Sequence, residues 1–117
     1  MQKVFYLKTC GTCTKILNRF DLSDWELREL KSSPITEEEL AQMYEHTKSY
    51  EALFSRRSTQ IKVRDIDLKP LEEKDFKNLI LEHYSFLKRP VFLTDQEIFV
   101  GIDKKNIEKL EEFFSSK

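Results

Sequence analysis

The spacing of apolar residues changes along the chain and marks segments with strand and helix periodicity. The N-terminal segment Lys3–Leu7 is rich in β-forming residues and predicts a first strand. Between residues 11 and 20 the apolar positions Ile16, Leu17 and Phe20 have the spacing of one helix face. Trp25–Leu30 then predicts a second strand. A strand, a helix and a strand of these lengths indicate a parallel βαβ unit.

The middle of the chain has helical periodicity. Thr36 and Glu39 have the spacing of a capping box, which begins a helix. The apolar face of this helix carries Leu40, Met43, Tyr44 and Thr47. A short helix is predicted over Tyr50–Phe54. Pro70 is expected to be the first residue of a further helix. The buried stripe of that helix is predicted to contain Phe76, Leu79, Ile80 and His83.

Strand periodicity returns after Pro90. Val91–Thr94 and Glu97–Val100 lie on either side of Asp95 and Gln96, a pattern that predicts a β-hairpin. After Gly101, a final helix is predicted to be capped by Asp103 and to carry Ile107, Leu110 and Phe114 on one face. The order of elements predicts an α/β fold. It comprises a four-stranded mixed sheet with flanking helices and an all-helical insertion between strands 2 and 3.

Size and charge limit the classes of function. A chain of 117 residues is long enough for one domain with its own core. The net charge of −1 gives no bulk attraction to nucleic acid or to an anionic membrane, so neither is expected as a direct partner. The first apolar run is too short for a signal peptide, and no stretch reaches the roughly 18 apolar residues of a membrane helix. Cytoplasmic residence is therefore expected.

The candidate chemistry lies at Cys10, where the first predicted strand passes into the first predicted helix. Helix N-terminal amides and the helix dipole favour a thiolate there, and Gly11 allows a tight turn that leaves the amides open. A Cys-x-x-Cys pair beside a βαβ unit is a redox signature. The alternative is two inert packing cysteines, and the sequence leaves open whether Cys13 forms a disulfide with Cys10. No metal site is expected, because His46 and His83 lack metal-ligand spacing from the cysteines.

Three arginines are candidates for binding an anion. Arg56 and Arg57 follow the short predicted helix, and Arg89 directly precedes Pro90. A guanidinium group can bind two oxygens of an oxyanion at once, and it lowers the pKa of a neighbouring cysteine. For each arginine taken alone, a solvated surface charge is the alternative.

Five short motifs occur together along the chain. They are Cys10-Gly11-Thr12-Cys13, Pro34-Ile35-Thr36, Ser55-Arg56-Arg57-Ser58, Lys88-Arg89-Pro90-Val91 and Val100-Gly101. Their order resembles that of the ArsC/Spx family, which comprises glutaredoxin-coupled arsenate reductases, Spx-type transcription regulators and uncharacterised relatives. The resemblance implies a single domain with a thioredoxin-like fold. Its thioredoxin-like core would comprise residues 1–32 and 87–117, and its helical insertion residues 33–86.

The resemblance also implies roles for individual residues. Cys10 would be the nucleophile. As a second catalytic cysteine, Cys13 is a candidate to resolve the intermediate, and an external thiol is the alternative. Arg57 and Arg89 would stabilise the charge of the thiol-bound oxyanion, and the bond between Arg89 and Pro90 would be cis and face the cysteine loop. The substrate-binding residues would be Gly11, Thr12, Arg56 and Pro90. Arg56 would replace Arg57 if the register shifts by one residue.

The function implied by the resemblance is a thiol-dependent oxidoreductase similar to the arsenate reductases. Its substrate would be a small oxyanion or a thiol or disulfide. It would bind no cofactor, and glutathione with glutaredoxin, or thioredoxin as a redox protein partner, would donate the electrons. The alternative is an Spx-like redox-sensing regulator that binds RNA polymerase through a Cys10–Cys13 switch.

The chain departs from both ends of the family. Phe99–Ile102 lacks the third oxyanion arginine of the arsenate reductases, and Cys13 stands where the glutathione-dependent enzymes have serine. Thr47–Tyr50 lacks the glycine that Spx regulators use to contact RNA polymerase.

Overall fold

The computed structural model describes residues 1–116, so Lys117, at the end of the predicted 87–117 segment, lies outside the described residues. The chain forms two compact units. One consists of Met1–Ser33 and Arg89–Lys117, and we call it the sheet unit. The other is Pro34–Lys88, which we call the insertion unit.

The regular elements follow the predicted order. In the sheet unit before the insertion they are β1 (Gln2–Tyr6), α1 (Gly11–Leu17) and β2 (Glu26–Glu29). In the insertion unit they are α2 (Glu37–Thr47), a 3-10 turn (Glu51–Leu53), α3 (Thr59–Val63), α4 (Glu73–Glu82) and a second 3-10 turn (Tyr84–Phe86). In the sheet unit after the insertion they are β3 (Val91–Thr94), β4 (Ile98–Val100) and α5 (Lys104–Ser115).

The four strands form one mixed sheet in the order β2-β1-β3-β4. β1 and β2 are parallel, with Tyr6 opposite Glu29, as the βαβ prediction requires. β3 runs antiparallel to β1 and to β4, which confirms the predicted hairpin. The architecture is therefore the predicted thioredoxin-like one, with an all-helical insertion between strands 2 and 3.

One hydrophobic cluster of the sheet unit lies on one face of the two central strands. Val4 of β1 and Phe92 of β3 are opposite each other and fully buried. Ile16 of α1 and Leu110 of α5 belong to the same cluster, and Trp25 contacts the Phe92 ring edge-on at 5.5 Å between centroids. The apolar stripes read from the sequence for α1 and α5 are therefore the faces that cover the sheet.

The insertion unit has an aromatic core of its own. Phe54 is 1% exposed and lies against Phe76 and Phe86, with ring centroids at 4.9 and 5.5 Å. At the start of α2, the Thr36 hydroxyl accepts the Glu39 amide at 3.1 Å, and the Glu39 carboxylate accepts the Thr36 amide at 3.0 Å. The predicted capping box is thus confirmed. Within residues 1–116, no helix combines the length and the apolar character needed to cross a membrane.

The predicted limits of the fourth helix were wrong at both ends. α4 begins at Glu73 and not at Pro70, because the Asp75 carboxylate accepts the Glu72 amide at 2.8 Å and caps the helix there. At the other end, His83 lies outside α4 with an extended backbone (φ −150°), so it is not part of the buried helical stripe. Its Nδ1 atom instead accepts the Ser85 amide at 3.1 Å and caps the second 3-10 turn.

Two other predicted helices are shorter than expected. The segment predicted as a helix over Tyr50–Phe54 is a 3-10 turn over Glu51–Leu53, and Phe54 is extended and forms an isolated bridge with Leu87. α1 ends at Leu17, because the Phe20 amide bonds to the Leu17 carbonyl and tightens the chain into turns.

Candidate active site

The turn Leu7–Cys10, which we call the cysteine turn, connects β1 to α1. It is closed by a hydrogen bond of 3.1 Å from the Cys10 amide to the Leu7 carbonyl. Cys10 is the N-cap residue of α1, with an extended backbone at φ −89° and ψ 103°. Its carbonyl accepts the amide and the hydroxyl of Thr14, each at 3.1 Å. The Cys10 thiol therefore sits at the junction of strand and helix that the sequence predicts.

The two cysteines are one helical turn apart and differ in exposure. Both are free thiols, with Cys10 half-buried and Cys13 fully buried in the core. The Cys13 thiol donates a hydrogen bond to the Cys10 sulfur, and the backbone amides of Cys13 and Thr12 donate to the same sulfur. One sulfur atom thus receives three donors.

These surroundings separate the acidities of the two thiols. Partial burial opposes ionisation of Cys10, but the hydrogen bonds from Cys13 and the positive charge of Arg89 outweigh it and lower the pKa of Cys10. Burial, with the hydrogen bond and the charge of Cys10, raises the pKa of Cys13 to about 12. The pair therefore keeps its proton on Cys13 and ionises first at Cys10.

Arg89 and Pro90 lie at the start of β3, in the same unit as the cysteines. The peptide bond between them is cis, as the family resemblance implies. The buried Pro90 accepts the Gly101 amide at 2.9 Å through its carbonyl. Gly101 has φ +91°, a conformation that favours glycine, and it ends β4 at this bond. Arg89 is half-buried, and its charge acts on both thiols.

Gly11 and Thr12, the two predicted binding residues between the cysteines, are exposed in the first turn of α1. A Cβ atom added at Gly11 would meet no atom within 4 Å beyond its chain neighbours and its own helix backbone. Glycine is therefore not needed there to avoid a clash inside the chain, and the surface beside Cys10 is open.

Arg56 and Arg57 belong to the insertion unit and not to the unit that holds the cysteines. Both side chains are exposed, in the turn that precedes α3. Arg56 forms an ion pair with Glu51, and the neighbouring Ser58 hydroxyl caps α3 by accepting the Gln60 amide at 3.2 Å. The roles that the family resemblance gives to these two arginines stay predictions.

Glu29 is a residue of this site for which the sequence analysis predicts no role. It lies at the end of β2, and its carboxylate accepts the Lys8 amide of the cysteine turn at 3.0 Å. It also accepts the amide and the hydroxyl of Ser32, each at 2.9 Å. These bonds, the Lys8 amide first, lower the pKa of Glu29. The parallel pairing of β1 and β2 places Glu29 beside Tyr6, two residues before Lys8. A prediction of this strand register would therefore have indicated that Glu29 lies near the cysteine turn.

Within residues 1–116, no set of three His, Cys, Asp or Glu side chains has an arrangement that could hold a metal ion. His46, in the last turn of α2, and His83 both belong to the insertion unit.

The sequence and the fold were compared with those of known proteins. The profile of the ArsC family matches residues 5–110. The global transcriptional regulator Spx of Streptococcus mutans is 29% identical over 111 residues, which cover 92% of this chain and 80% of that protein. Spx 2 of Bacillus anthracis is 24% identical over 112 residues, covering 93% and 86%.

Solved structures show the same fold at lower identity. An ArsC-related protein from Bacteroides fragilis superposes with a TM-score of 0.75 at 22% identity, covering 93% of this chain and 96% of that one. An arsenate reductase from Vibrio cholerae superposes with a TM-score of 0.72 at 14% identity, covering 95% of each chain.

Proposed function

The chain belongs to the ArsC family, and from this premise we propose that it is a thiol-dependent oxidoreductase whose nucleophile is the Cys10 thiolate. The observation that carries the proposal is the set of groups around the Cys10 sulfur. It receives hydrogen bonds from the Cys13 thiol and from two backbone amides, and it lies in the field of Arg89. Donors and positive charge of this kind stabilise a thiolate, which is the nucleophilic form of cysteine.

With a disulfide as substrate, the proposed reaction uses both cysteines. The Cys10 thiolate attacks one sulfur, the substrate disulfide breaks, and the other sulfur leaves as a thiolate. In the mixed disulfide Cys10 carries no negative charge, so this charge no longer raises the pKa of Cys13. Cys13 then loses its proton, attacks the Cys10 sulfur and releases the reduced substrate. The dithiol has supplied two electrons, which thioredoxin, or glutathione with glutaredoxin, restores.

With a small oxyanion such as arsenate, Cys10 forms a sulfur–arsenic bond while one arsenate oxygen leaves as water. A second thiol then attacks the Cys10 sulfur and forms a disulfide. The sulfur–arsenic bond breaks, its electron pair stays on arsenic, and arsenite is released. In this proposal Arg89 stabilises the negative charge of the adduct. For Arg57, or Arg56 in its place, the same role is proposed from the family resemblance alone. Gly11, Thr12 and Pro90 line the site.

The experiment uses the whole chain and two substrates. Disulfide reduction is measured with thioredoxin and its reductase, and arsenate reduction with glutathione and glutaredoxin. Wild type is compared with Cys10→Ser in both assays. We expect Cys10→Ser to lose whichever activity wild type shows. Equal background rates for the two proteins in the arsenate assay would reject arsenate as a substrate. Equal rates in the disulfide assay would reject disulfides as substrates. Equal rates in both assays would reject the enzyme proposal.

A second candidate function has its own support. The two Spx relatives are named as global transcriptional regulators. The hydrogen bond between the Cys10 and Cys13 thiols supports a redox switch at this pair. In this alternative, an oxidant such as a small disulfide takes two electrons and two protons from Cys10 and Cys13. The disulfide formed between them then changes binding to RNA polymerase. Both candidates assume a reducing compartment such as the cytoplasm.

The regulator proposal is tested by binding and not by turnover. The reduced and the oxidised protein are each offered to the purified α subunit of RNA polymerase. Binding that differs between the reduced and the oxidised protein, with that difference abolished in Cys13→Ser, would support a regulator. Binding by neither form would reject it and leave the enzyme as the function.

A further inference from the structure

We propose that Glu29 is a positioning residue for Cys10, because its carboxylate fastens the cysteine turn to the loop that follows β2. The inference rests on the proposed role of Cys10 as the nucleophile. In this proposal Glu29 acts on the thiol through the backbone that carries Cys10.

The Glu29 carboxylate accepts hydrogen bonds from the cysteine turn and from the loop that follows β2. One carboxylate oxygen, Oε2, accepts the Lys8 amide at 3.0 Å. The other, Oε1, accepts the Ser32 amide and hydroxyl, each at 2.9 Å. All three partners are donors, so the site suits a group that only accepts. An ionised carboxylate is such a group, whereas a glutamine would turn its NH2 group toward one of the donors.

Lys8 lies inside the cysteine turn, two residues before Cys10. The turn is closed by the bond from the Cys10 amide to the Leu7 carbonyl at 3.1 Å. On the β1 side, the Leu30 amide donates to the Tyr6 carbonyl at 2.9 Å, which holds the strand ends together. Glu29 adds the link between the turn itself and β2. Fixing this turn fixes the direction in which Cys10 presents its sulfur to the amides of Thr12 and Cys13.

The charge of Glu29 and its positioning role act on Cys10 in opposite directions. A carboxylate near a thiol disfavours the thiolate, so removing the charge alone would lower the pKa of Cys10. Loosening the turn would weaken the hydrogen bonds that Cys10 receives, so losing the positioning would raise that pKa. The sign of the change therefore distinguishes the two roles.

Three variants separate charge from geometry. Glu29→Gln removes the charge and one side of the link. Glu29→Asp keeps the charge but is one methylene too short to reach both partners. Glu26→Gln is the matched control, because it removes the same charge from the same strand at an exposed side chain whose contact is an ion pair with Arg28 at 3.8 Å. The measurement is the pKa of Cys10, taken from the pH dependence of its alkylation rate in the full chain.

We expect both Glu29 variants to raise the pKa of Cys10 by about half a unit to one unit. Alkylation below the pKa would then be about 3- to 10-fold slower. Glu26→Gln should leave the pKa unchanged. A lower pKa in Glu29→Gln with no change in Glu29→Asp would show an effect of charge alone and overturn the inference. An unchanged pKa in both Glu29 variants would overturn it as well.

The proposed role of Cys10 as the nucleophile is tested in the wild-type chain alone. It fails if the pKa of Cys10 is no lower than that of a free cysteine. In that case the anchoring is judged by hydrogen exchange at the Lys8 amide, which does not depend on thiol chemistry. Exchange that is about 10-fold faster in both Glu29 variants than in Glu26→Gln would support anchoring by Glu29. Exchange at the wild-type rate would overturn it.

Discussion

The sheet unit and the insertion unit use their polar groups in different ways. In the sheet unit the Thr12 amide, the Cys13 amide and thiol, and the charge of Arg89 all act on the sulfur of Cys10. In the insertion unit polar groups are matched to one another at the ends of helices and turns. The difference teaches that the number of polar contacts does not identify a site. What identifies it is that two amides, a thiol and a positive charge together favour the ionised form of one thiol, which is the nucleophilic form.

The insertion unit shows the second pattern throughout its length. The Ser58 hydroxyl lies 2.6 Å from that of Ser85, which lies 2.8 Å from Nδ1 of His83. The Glu73 carboxylate accepts the amides of Tyr50 and Glu51 at 2.6 and 3.1 Å. Each of these groups satisfies a backbone or hydroxyl partner, which stabilises short helices that isolated peptides could not form.

The largest predicted effect contrasts the two cysteines. Cys10→Ser should slow alkylation by iodoacetamide near neutral pH at least about 100-fold, because Cys13 is buried and its pKa is raised to about 12. Cys13→Ser is the matched control and should keep the fast reaction. Retention of fast labelling in Cys10→Ser would mean that the acidities of the two thiols are assigned in the wrong order.

The next effect tests whether a charge in the sheet unit acts on the thiol. Arg89→Gln should raise the pKa of Cys10 and slow its alkylation about 10-fold below that pKa, because a neighbouring positive charge is lost. Arg19→Gln removes the same charge from an exposed side chain that pairs with Glu111 at 3.3 Å. If the pKa of Cys10 is the same in the two variants, Arg89 acts only through the net charge of the protein. The claim that its charge acts locally on the thiol would then be wrong.

A change in the insertion unit should affect stability and not acidity. Thr36→Ala removes the hydroxyl that caps α2 and should lower the free energy of unfolding by about 1 kcal/mol in urea denaturation. The pKa of Cys10 should stay at its wild-type value. Thr59→Ala, at the exposed first position of α3, should cost less than about 0.5 kcal/mol. A shift in the pKa of Cys10 in Thr36→Ala would contradict the proposal that the α2 cap affects stability and not the acidity of the thiol.

The smallest effect isolates the hydrogen bond between the thiols. Cys13→Ala removes the donor and should raise the pKa of Cys10 by about half a unit, which slows alkylation about 3-fold. Cys13→Ser keeps a hydroxyl donor and should stay closer to wild type. Equal titration curves for the two variants would show that the backbone amides and Arg89 are sufficient to lower the pKa of Cys10, with no part for the thiol donor.

Much of the fold could be predicted from the sequence, because its signals are local. The hairpin of β3 and β4, the stripe Ile107–Phe114 and the Thr36–Glu39 box each follow from residues a few positions apart, and all appear in the structure. Cys10 was found for the same reason, since a strand that passes into a helix at a Cys-x-x-Cys pair can be recognised over a few residues.

What the sequence did not reveal depends on distant contacts or on competing caps. Glu29 contacts Lys8, 21 positions away, and its role follows only from the strand register. The start of α4 was predicted wrongly because Pro70 is a good first helical residue, yet the cap at Glu72 determines where the helix begins. His83 fits the apolar period of α4, but its bond to Ser85 takes it out of the helix.

The most direct test of the central claim is the pH dependence of Cys10 alkylation in the wild-type chain. Only the thiolate reacts, so the rate should rise about tenfold per pH unit below the pKa and level off above it. Because the pKa of Cys10 is lowered, we predict a midpoint below the value of about 8.5 of a free cysteine. A midpoint at or above about 8.5 would contradict the account.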